Sequence, residues 1–84
     1  MSTQTFKHTK KALEAYDAGA AARKRAWDSV DDPGDVAAAQ KLEEFHLRQV
    51  QQAFFQDTKG TNSLDRCLIA TIDYMRNCVE RWRG

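Results

Sequence analysis

Glu43 and His46 are the side chains whose types and spacing come nearest to metal chemistry. Residues three apart share one side of a helix, so Glu43-x-x-His46 presents a carboxylate and an imidazole together. Di-iron helical bundles use two such pairs plus a glutamate from each of two further helices. This chain carries one pair, and Glu14 and Glu80 fall outside the apolar faces of their helices. The expected role of His46 is structural, at the core edge and bonded to Glu43. No metal or cofactor site is expected.

Nucleophiles are present, but the only other histidine is His8, close to the start of the chain. No Ser-His-Asp or Cys-His arrangement can be assembled around it. The sequence holds no Gly-rich phosphate loop. No catalytic residue is therefore expected. Cys67 and Cys78 lie on one helical stretch, about 16 Å apart at 1.5 Å per residue, too far for a bond that needs Cα atoms within about 7 Å. Buried free thiols are the expectation, and an inter-chain bond across an antiparallel dimer is the sharper alternative.

Two groups of residues could bind a partner. Phe45, Phe55 and Trp82 fall at or beyond the edges of the apolar faces, and grouped exposed aromatics mark protein contacts. Lys7, Lys11 and Arg25 share an outer face that could meet phosphates. Cations at a helix N-terminus oppose its dipole. The bland account places them beside the acidic end of an antiparallel neighbour, near Asp57.

The elements that must position these residues are helical. From Thr5 to Val30, Phe6, Thr9, Leu13, Tyr16, Ala20, Arg23, Trp27 and Val30 follow alternating steps of three and four, a heptad seam. Arg23 within that seam needs a carboxylate or a route to solvent. Gly19 and its alanine neighbours suggest close approach of another helix. Asp31-Asp32-Pro33-Gly34-Asp35 is a turn with a helix start built in: Asp32 to cap, Pro33 first, Asp35 at the positive end. The second helix, 33–56, puts Val36, Ala39, Leu42, Leu47, Val50, Ala53 and Phe54 on one arc. Gly60 can end it, and Asn62 or Ser63 can cap a third helix over 62–82. There Leu64, Cys67, Leu68, Thr71, Ile72, Tyr74, Met75, Cys78, Val79 and Trp82 span an apolar arc of about 160°, wider than the ~100° stripe of a surface helix. That width makes the last helix the expected centre of the fold.

The expectation is one all-α domain over 1–84, a three-helix bundle or a long antiparallel hairpin with a third packed helix. Net charge divides as +3 over residues 1–30, −4 over 31–57 and +2 over 58–84, which suits antiparallel neighbours. The total of +1 argues against a strongly basic nucleic-acid binder. No apolar run approaches the ~20 residues of a membrane span, and the polar start lacks the apolar segment of a secretory signal, so a cytoplasmic protein is expected. The function expected is that of a small non-catalytic protein-binding module: an adaptor, a chaperone subunit or an inhibitor of a larger assembly. The alternative is a nucleic-acid-associated regulator using the basic face. Because the apolar faces exceed what one thin helix between them can cover, a homodimer or a hetero-complex is expected.

Overall fold

Asp32 opens the longest helix as its chemistry requires. Its backbone is extended, at φ −145° and ψ 171°, and its side chain accepts the Asp35 N–H at 2.9 Å, with Pro33 in the first turn. The computed structural model describes residues 5–61 and 68–83. Among these it is all-helical: α1 (Lys7–Ala18), α2 (Ala20–Asp28), α3 (Pro33–Asp57) and α4 (Leu68–Arg83). Leu64, Cys67 and the expected caps Asn62 and Ser63 lie outside the described residues.

The end of α3 is equally local in origin. Lys59 and Gly60 both take positive φ, 55° and 76°, and the Gly60 N–H reaches back to the Phe55 carbonyl at 2.9 Å. This closes the last turn by a Schellman-type bond. A Cβ on Gly60 would stand 3.0 Å from Phe55 Cζ, so glycine serves both the turn and the ring beside it.

The first helix is divided. Gly19 separates α1 from α2, yet its N–H bonds Ala15 O at 3.1 Å and its carbonyl accepts the Arg23 N–H at 3.0 Å. The axis is thus interrupted without being turned away. The expectation that Gly19 lets another helix approach needs correcting. The atom nearest a Cβ built there is Arg23 Nη1, at 2.9 Å, so the glycine makes room for a side chain four residues further along the same helical arm.

Helix α3 runs antiparallel to α1 and α2. Thr9 meets Asp57 at one end, while Tyr16 and Arg23 meet Glu43 further along. Helix α4 runs antiparallel to α1, with Arg76 paired to Asp17 and Trp82 beside Phe6. The core holds Phe6, Leu13, Leu47, Val50, Phe54, Ile72 and Met75, with Ala12, Tyr16, Leu68, Cys78 and Val79 packed half-buried on it.

Two expectations about the centre fail. α1 and α3 each touch all three of the other helices, α3 the more extensively, while among the described residues α2 and α4 do not meet, so α3 and not the last helix is the hub. The wide arc of α4 is covered only along its middle: Thr71, Ile72 and Met75 are buried, but Tyr74 and Trp82 are 46% and 50% exposed. The heptad seam also loses its cover past Gly19. Arg23 is buried there, Ala20 is exposed and Trp27 is 42% exposed, because among the described residues α2 packs on α3 without α4 beside it.

Candidate protein-contact face

A polar cluster lies where α1 and α2 pack on α3. Arg23 Nε bonds Glu43 Oε2 at 3.1 Å. The Tyr16 hydroxyl donates to Glu43 Oε1 at 2.8 Å. The Arg23 guanidinium lies over the Tyr16 ring, 3.7 Å from its centroid. Sequence spacing makes this stack local: residues seven apart return to one helix face after two turns. Arg23 Nη1 is buried with no acceptor among the described residues. Burial, and then the bond to Glu43, push the Tyr16 phenol above its ordinary range.

Glu43 is committed to Arg23 and Tyr16, and the expected His46–Glu43 bond is replaced by that arrangement. His46 is half-buried with the Phe45 ring edge-on to it, centroids 5.6 Å apart. Among the described residues no three His, Cys, Asp or Glu side chains come together as metal ligands would. Cys78 is a free thiol, half-buried, which is less covered than expected; Cys67 lies outside the described residues.

The basic residues Lys7, Lys11 and Arg25 are all exposed. Helix α1 has no capping side chain of its own at Phe6. Asp57 supplies one from the end of α3: its carboxylate accepts the Thr9 N–H at 2.6 Å, the His8 N–H at 3.3 Å and the Thr9 hydroxyl at 2.7 Å. A carboxylate at that position also offsets the cationic first turn. Lys7 and Arg25 are about 27 Å apart along the axis, so the three cations form a line rather than a pocket.

The aromatic residues divide into two sets. Phe6 stacks on Phe54 with centroids 5.7 Å apart and planes at 8°. Tyr74 meets Phe54 edge-on at 6.0 Å, and Trp82 tilts against Phe6 at 6.4 Å. Trp82 is therefore the rim of the core cluster and does not join Phe45 and Phe55. Those two are 58% and 54% exposed. They lie on the side of α3 turned away from the buried line Leu47, Val50 and Phe54, as helical spacing dictates. Phe45, Arg48, Gln52 and Phe55 follow steps of three, four and three along that outer side, all exposed. Beside Phe55 lies a dent of about 470 Å³ bounded by Arg48, Gln51, Gln52, Phe55 and Gln56.

The heptad spacing of this outer stripe is present in the sequence but gives no apolar signal, because its middle members, Arg48 and Gln52, are polar. No helix among the described residues is long and apolar enough to cross a membrane. The chain matches no protein-family model, no curated protein and no solved structure.

Proposed function

We propose that this chain is a small non-catalytic protein-binding module, with the outer face of α3 as its contact surface. The observation that carries the reading is the exposure of Phe45 and Phe55 on the outer side of the hub helix, with a dent beside Phe55. Two half-exposed rings on a soluble helix oppose folding economy unless a partner covers them. The finer architecture belongs to the same reading: α1 and α2 act as one interrupted arm, so that three helical arms make a bundle with the outer side of the middle arm left open. A cytoplasmic setting, as an adaptor, a chaperone subunit or an inhibitor of a larger assembly, accords with the free thiol of Cys78.

The experiment compares two variants that each keep the core intact. In extracts of the native host, the protein with Phe45→Ala and Phe55→Ala should lose its partner, since truncating an interface aromatic weakens binding by about 2 kcal/mol or roughly 30-fold. The protein with Lys7, Lys11 and Arg25 changed to Gln should keep it. The opposite pattern, with a shallower salt dependence of nucleic-acid binding in the Gln variant, would select the nucleic-acid reading instead. Circular dichroism should show unchanged helicity in both.

A further inference from the structure

We infer that α2 is a strap that opens as one unit from Gly19 onward while α1, α3 and α4 stay folded, and that the Arg23–Glu43 ion pair is its fastening. The core stops short of α2. Among the described residues, every member of the core cluster and every side chain packed on it comes from 6–16, 47–54 or 68–79. Neither α2 nor the first half of α3 contributes one. There α2 packs on α3 without α4 beside it.

Burial of apolar surface is the main force that holds helices together, and α2 has little of it. Only Arg23 of its nine residues is buried. Ala20, Ala21 and Ala22 are exposed, Ala26 is half-buried and Trp27 is 42% exposed. The inward anchor is thus an arginine, a group that water solvates well once it is released. Its hold comes from the 3.1 Å bond to Glu43 and the stack on Tyr16. Its Nη1 is buried without an acceptor among the described residues. Part of the guanidinium's lost hydration therefore goes uncompensated while the strap is shut.

Both ends of α2 are breaks. Gly19 interrupts the helix before it, and residues 29–32 leave the helix after it. Glycine inside a helix weakens its propagation. Past Gly19 the helix has nine residues, fewer than the ~12–15 that hold in water without a neighbour. Released from α3, α2 unwinds. Arg23 and Glu43 then return to solvent together, and the inner side of α3 around Glu43 is uncovered.

Native-state hydrogen exchange of the full chain, read amide by amide by NMR at low urea, tests this. The amides of 23–28 should exchange about tenfold or more faster than those of 47–54, after correction for intrinsic rates. They should share one opening constant and show a smaller urea slope, because a local opening exposes less surface. Ile72→Val removes a core methylene from α4, which among the described residues does not meet α2. It should speed the amides of 47–54 several-fold and leave those of 23–28 unchanged, since the opened strap leaves the core intact. Glu43→Gln should speed the amides of 23–28 about tenfold or more, the effect of losing a charge-assisted hydrogen bond. Amides of 23–28 that share the core's rate and urea slope overturn the strap. So do rates that fall residue by residue inward from Asp28, which is fraying, or an Ile72→Val variant that speeds both sets alike. A Glu43→Gln variant with unchanged exchange over 23–28 overturns the fastening.

Discussion

Asp57 is the residue whose effect reaches furthest along the chain. It closes α3 and at the same time caps α1, joining positions 48 and 49 residues apart. Asp57→Ala should lower stability by about 0.5–2 kcal/mol, the range for a lost N-cap, read as a shift of the urea midpoint at unchanged slope. Asp57→Asn keeps an acceptor oxygen and should lose less. Tyr16 gives a pH dependence with a definite sign. Burial and the bond to Glu43 raise its phenol, so the folded chain holds that proton more tightly than the unfolded chain. Its stabilising contribution is complete below about pH 10, the unfolded value, and is lost as pH rises through the folded one. Ultraviolet titration should show one tyrosine ionising late, and Tyr16→Phe should remove that part of the alkaline loss of stability. Gly19 makes a third case. Alanine in a helix is worth about 1 kcal/mol over glycine, but its Cβ would crowd Arg23 Nη1. Gly19→Ala should therefore gain less in the wild type than in an Arg23→Met background, a difference that paired chemical denaturation measures.

At the scale of elements, α3 is the hub because two of its sides carry different messages. Its buried side presents Leu47, Val50 and Phe54 to α1 and α4. Its outer side presents Phe45 and Phe55 to solvent. Phe54→Ala should cost about 3–5 kcal/mol, as for other buried aromatics. Phe45→Ala and Phe55→Ala should each cost less than about 1 kcal/mol in the isolated chain, and thermal melting of the three variants checks the contrast. The sequence made the ends of α3 legible, because Asp32-Pro33 and Gly60 act through their own backbone geometry. It also showed that Arg23 needed a carboxylate or a route to solvent. It could not say that Glu43 would be that carboxylate, since the partner lies across an antiparallel pairing whose register no local signal fixes. The wide arc of α4 misled for a related reason: an apolar arc measures what a helix could bury, and the neighbours decide how much of it is buried.

The molecule as a whole is drawn out. Its Cα radius of gyration is 14.4 Å, against about 12 Å for a compact chain of this length. Its extents are 53 × 22 × 15 Å, so it is more than twice as long as it is wide. A body that thin has few places to hide eight aromatic residues, and five of them stay more than 40% exposed. Three of the five sit on the arms or at the rim of the core, where neighbouring helices half-cover them. Phe45 and Phe55 face outward from the hub, and the proposed function requires that face to be covered in use. Hydroxyl-radical footprinting of the bound protein, read by mass spectrometry at individual residues, measures this directly. Phe45 and Phe55 should become several-fold less reactive on binding, while Trp27 and the residues about Lys7, Lys11 and Arg25 keep their reactivity. Rings at positions 45 and 55 that react as fast in the complex as in the free chain would contradict the assignment of the contact face.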